Sequence, residues 1–158
     1  MNLPLQRPLR VGPGAAAGVT EPMIHEVVHA FYAEVRTDPA IGPIFNRVIG
    51  EGWDDHLAKM CDFWSSVLLM TGRFKGAPMA AHIRIGEIRP THFARWLHLF
   101  RQTVERRCPP EAAALFVAKS QLIAESLQLG IAAGRDEFLA LRPEPGPGQP
   151  PVDRVDRS

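Results

Sequence analysis

Across residues 20–141 apolar side chains recur at every third or fourth position, and no segment alternates apolar and polar residues between turns. A helix needs that spacing to bury one face, whereas a half-buried strand needs a period of two. The chain is therefore expected to be all-α, with four main helices. Thr20 stands before Glu21-Pro22, a capping residue followed by a proline, which a first helical turn accepts. Ile24, Val27, Val28, Phe31 and Val35 then share a face. Asp38-Pro39 ends the run, because proline disfavours helix in the residue before it. Residues 41–45 read as a short piece that turns the chain. A second helix is expected over residues 53–69. Asp54 and Asp55 lie at the positive end of its dipole, and Gly72 follows as a stop. The polar loop 72–78 leads to a short helical segment, 79–84. A third helix follows Pro90-Thr91 and presents Phe93, Trp96, Leu97, Phe100 and Val104 before Pro109-Pro110 breaks it. The fourth is expected over residues 111–133, stopping at Gly134.

A chain of 158 residues fits one domain with a real core. Its ends differ from its middle. Residues 1–19 are interrupted by Gly, Pro and Ala and read as a disordered N-terminal arm. Residues 142–158, RPEPGPGQPPVDRVDRS, read as a disordered Pro-rich tail, too poor in apolar side chains to offset the entropy of ordering. The globular domain is expected over residues 20–141. A formal net charge of +1 supplies no basic face for nucleic acid and no reason to expect a membrane surface as partner. No apolar run approaches the roughly 18 residues of a membrane span, and none follows Arg7 and Arg10 as in a signal peptide. The two cysteines, Cys61 and Cys108, match no metal spacing and no disulfide framework, so a cytoplasmic setting is expected.

Two constellations compete for chemistry. His25-Glu26-Val27-Val28-His29 matches H-E-x-x-H, in which two histidines one turn apart hold zinc and the glutamate is the base of a hydrolase. Against it, the two histidines flank a buried face, and no third ligand follows at a suitable spacing. The other constellation is dispersed. The second helix carries two apolar stripes, Met60-Phe63-Val67 and Trp53-Leu57-Trp64-Leu68, so it is buried on most sides. His56 lies in line with Met60 and Phe63, and a polar ring there needs a partner. Tyr32 (the only tyrosine), His56, His82 and Trp96 stand on four successive elements. Taken singly, each is equally a core or solvated residue.

The stretches FYAEVRTDPAIGPIF (31–45), WDDHLAKMCDFWSSVLLMTGRFKGAPMAAH (53–82) and HFARWLHLF (92–100) resemble, in order, the group III truncated haemoglobins. The resemblance fades in the fourth helix and excludes both ends. It implies a truncated globin fold, a two-over-two helical sandwich around haem b. It implies His82 as the iron's protein ligand, and Tyr32, His56 and Trp96 as groups that stabilise a bound ligand on the opposite side. Phe31, Met60, Phe63, Trp64, Phe74, Met79 and Phe93 would wall the pocket, and Arg73, Lys75 and Arg84 lie where haem propionates could be met. The implied partners are oxygen or another diatomic gas and an unidentified electron donor. Turnover of oxygen, nitric oxide or peroxide, in the manner of a nitric oxide dioxygenase or a peroxidase, stays open. So do a haem-based gas or redox sensor and the zinc hydrolase.

Overall fold

The computed structural model describes residues 12–76 and 88–140, with side chains as far as residue 133. Among these residues there are six helices and no strand: α1 (Pro13–Ala16), α2 (Glu21–Thr37), α3 (Gly42–Ile49), α4 (Trp53–Leu69), α5 (Pro90–Arg107) and α6 (Pro110–Ala140). α2 packs on α4, α5 packs on α6, and α2 also packs on α5, which joins the two pairs into a two-over-two sandwich. The all-α expectation and the order of the four long helices hold.

Local chemistry sets most of the ends. The Thr20 hydroxyl accepts from the Met23 N–H at 3.3 Å and caps α2. Asp38 closes α2 in an extended conformation, with ψ at 128°. Its carboxylate then turns the chain: Oδ2 accepts from the N–H groups of Ala40 (3.0 Å) and Ile41 (3.1 Å). Oδ1 accepts from Arg95 Nε (2.9 Å) and Nη2 (2.7 Å), tying this turn to α5. The Arg95 hydrogen bonds hold the buried carboxyl below the usual carboxylate range, against the opposing effect of burial. The core is aromatic at its centre. Phe100 stacks on Trp64 (5.1 Å between centroids, 10°) and on Trp96 (5.2 Å, 3°), and meets Phe31 edge-on at 5.0 Å.

Four local expectations are corrected. Residues 41–45 form more than a turn, since α3 is a two-turn helix. It starts so close to the end of α2 that a Cβ on Gly42 would lie 2.9 Å from the Val35 carbonyl oxygen. The arm expected to be loose is ordered over residues 12–19. α1 lies on α4, a Cβ on Gly14 would lie 2.9 Å from the Leu68 carbonyl oxygen, and Val19 is buried in the core. α4 ends on Met70 in the left-handed conformation (φ 55°), two residues before Gly72. α6 runs through Gly134 to Ala140. A glycine ends a helix by adopting positive φ; without that it only weakens the helix, by about 1 kcal/mol. The expected segment 79–84 lies outside the described residues.

Candidate functional site: an aromatic-walled cavity

Helical registers on α2 to α6 converge on one cavity of about 270 Å³. α2 contributes Tyr32, one position past the strictly apolar face of that helix. His56, Met60 and Phe63 come from α4, spaced four and three residues apart and hence on one face, with Trp64 beside them. α5 contributes His92, Phe93 and Trp96; α6 contributes Ile123, Ala124 and Leu127. The remaining wall is α3, through Ile44, Phe45, Val48 and Ile49, together with Ile41 and Ile88. Among the described residues no Asp, Glu, Lys or Arg lines it. Such a space favours a broad apolar body over a charged substrate.

Its polar groups are few and ordered. The Tyr32 ring is buried in an aromatic cage, 5.2 Å from His56, 5.9 Å from Trp53 and 6.0 Å from Phe45 between centroids. Tyr32 is hydrogen-bonded to Trp96. An indole nitrogen can only donate, so the tyrosine oxygen accepts and the phenol keeps its own proton to give. Burial pushes the Tyr32 hydroxyl well above a tyrosine's ordinary value, and the Trp96 bond offsets part of that rise. His56 Nε2 is shielded from solvent. His92 is fixed differently: its ring Nδ1 accepts the Arg89 backbone N–H at 2.9 Å, while its backbone N–H donates to the Arg89 carbonyl at 2.9 Å. This is the reciprocal arm of a helix capping box, with histidine where Glu or Gln is usual.

Of the expected site residues, Tyr32, His56, Met60, Phe63, Trp64, Phe93 and Trp96 line the cavity. Phe31 stands behind it, edge-on to Trp96 at 5.2 Å. Phe74 packs on Phe63 at 5.2 Å and also lies behind the wall. Met79, His82 and Arg84 lie outside the described residues. Arg73 is engaged by Glu21 at 3.3 Å. Sequence reasoning missed the α3 and α6 walls and His92. The signal for α3 was its apolar spacing at 41, 44, 45, 48 and 49, hidden by the Gly42-Pro43 pair that reads as a turn.

The His25, Glu26 and His29 side chains of the H-E-x-x-H motif are exposed on the outer side of α2. His25 and His29 stack ring on ring at 3.9 Å, and Glu26 accepts from Arg107 at 3.2 Å. Among the described residues no three His, Cys, Asp or Glu side chains gather to hold a metal. Cys61 and Cys108 are half-buried against the core, and burial raises both thiols, which disfavours the reactive thiolate. No helix among the described residues is long and apolar enough to cross a membrane.

No protein-family model matches the chain. It is 32% identical to a group 3 truncated haemoglobin of Campylobacter jejuni over 113 residues, covering 70% of this chain and 89% of the relative. Among solved structures it is similar to the crystal structure of a group III truncated haemoglobin from Campylobacter jejuni. The TM-score is 0.68 and the identity 31%, over 72% of this chain and 91% of that one.

Proposed function

The chain belongs to the group III truncated haemoglobins, and from that premise we propose that it holds haem b in the aromatic-walled cavity and takes up oxygen or a similar diatomic gas there. The observation that carries this reading is the Tyr32–Trp96 pair at an otherwise apolar cavity. Ferrous haem, when bound, supplies the metal centre at which the gas is taken up. Everything else belongs to the chain. The apolar residues of α3, α4, α5 and α6 fit a flat apolar macrocycle and exclude water from it. Tyr32 donates its proton in a hydrogen bond to the electron-rich end of the ligand, strengthened by the low local dielectric. Trp96 orients Tyr32 by donating to its oxygen. His56 and Met60 face the same space and control approach. His82 serves as the protein ligand to iron, a role carried by its place in the family resemblance. The haem is non-covalent, because neither Cys61 nor Cys108 begins a C-x-x-C-H attachment sequence. An electron donor keeps the iron reduced.

Visible spectroscopy of the purified protein, oxidised and then reduced, tests this directly. A strong near-ultraviolet haem band that shifts on reduction and on carbon monoxide addition is expected. His82→Gly should lose haem or its normal spectrum and recover it with added imidazole. A colourless protein that cannot be reconstituted with haem would overturn the reading.

A further inference from the structure

The ligand-stabilising groups of the proposed function leave one polar ring at the cavity unexplained, His92. It sits one turn before Trp96 on α5, about 6 Å along the helix axis, and is partly exposed where Tyr32 is buried. It therefore lies at the mouth. Its tautomer is set by the backbone: Nδ1 accepts the Arg89 N–H, so the proton of the neutral ring is on Nε2. An imidazole in that state offers no lone pair at Nε2 to a metal, and its remaining nitrogen is a donor. The described cavity wall carries no carboxylate to receive it. A bound ligand can supply the acceptor.

We propose that His92 recognises a carboxylate of the bound tetrapyrrole, donating Nε2–H to it from the mouth of the cavity. The inference rests on the haem reading above. A porphyrin diacid has apolar edges that enter a slot and acid groups that must stay near water. A half-exposed, pre-oriented N–H at the rim meets that requirement, and exposed Arg89, three residues earlier, adds positive charge on the same side. The capping role and the recognition role use opposite nitrogens of one ring, so the cap holds the donor in place.

The capping geometry also supplies the test. Glutamine and glutamate at this position both accept the Arg89 N–H and preserve the cap, but only glutamine also donates. Metal-free protoporphyrin IX and its dimethyl ester are titrated, by porphyrin fluorescence, into the haem-free full chain and its variants. The wild type should prefer the diacid by roughly tenfold or more, the effect of one hydrogen bond to a charged acceptor. His92→Gln should keep most of that preference. His92→Glu should lose or invert it, with ester affinity little changed. A diacid preference equal in His92→Glu and wild type would overturn the proposal and leave the haem reading standing. Failure of the wild type to bind either porphyrin would overturn both.

Discussion

Trp96 donates its indole N–H to the hydroxyl of Tyr32, which leaves the phenol its own proton to give to another group in the cavity. The family resemblance implies both, with His56, as groups that stabilise one bound ligand. On the proposed haem reading the phenol would donate to the ligand and the indole would support it.

Replacing Tyr32 by Phe in the haem-loaded protein removes one hydrogen bond to a charged acceptor, worth about 1.5–3 kcal/mol. Oxygen release is expected to quicken by roughly ten- to a hundredfold, and carbon monoxide release, which depends less on ligand charge, should barely change. Because Trp96 acts through Tyr32, adding Trp96→Phe to the Tyr32→Phe background should change oxygen release little. A further tenfold acceleration in the double variant would show that the indole reaches the ligand by itself. Stopped-flow displacement with both gases decides between these outcomes.

Tyr32 is the chain's only tyrosine, so its ionisation can be read without overlap from another tyrosine. Burial raises its folded value above the ordinary 10.0. The stability linked to it is therefore complete below about pH 10 and is lost as pH rises further, because the unfolded chain releases the proton first. Absorbance near 295 nm should show no tyrosinate at pH 10 in the native protein. The signal should appear together with alkaline unfolding seen by circular dichroism. A simple titration near pH 10 in the native state would contradict the buried, bonded phenol.

Phe100 is sandwiched between Trp64 and Trp96, and its removal should be costly. Phe100→Ala is expected to destabilise by about 3–5 kcal/mol, measured by urea unfolding. Phe100→Leu should cost less and still loosen Trp96, visible as a change in oxygen release while carbon monoxide release is preserved. Release rates matching wild type in a folded Phe100→Leu protein would mean that the stack does not hold Trp96 for its role.

Gly14 and Val19 attach the start of the chain to the core beside Leu68. A chain shortened to begin at Thr20 should therefore melt several degrees below one that begins at Gly12. Gly14→Val should behave like the shorter chain, since its side chain would meet the backbone of α4. Equal melting temperatures for the two lengths would show that α1 adds nothing.

Asp38 predicts the acid limb. Its folded value is depressed, so its contribution is present above the unfolded value near 3.8 and is lost as pH falls through the lower folded value. Asp38→Asn keeps an oxygen for the Ala40 and Ile41 N–H groups but gives up the charge that Arg95 meets. It should lower the melting temperature at pH 7 by a few degrees and flatten the dependence of stability on pH below 4. An unchanged acid limb would assign acid unfolding to other carboxylates.

What the amino-acid order determined by itself was local. Apolar spacing and the prolines at 22, 39, 90, 109 and 110 marked the long helices, because propensity and capping act within a few residues. The ordered match of three stretches identified the family, and seven of the expected pocket residues line the cavity. What only tertiary structure decided was where weak local signals resolve. Gly42-Pro43 reads as a turn, but packing against the end of α2 and the cavity makes α3 a helix. Gly134 reads as a stop, yet α6 runs through it. Residues 12–19 read as loose, yet glycine lets their backbone approach Leu68 closely enough to dock. The pairing of Trp96 with Tyr32 and the tautomer of His92 likewise belong to three dimensions. Each depends on which particular atom meets which, and helical periodicity specifies a face without specifying that meeting.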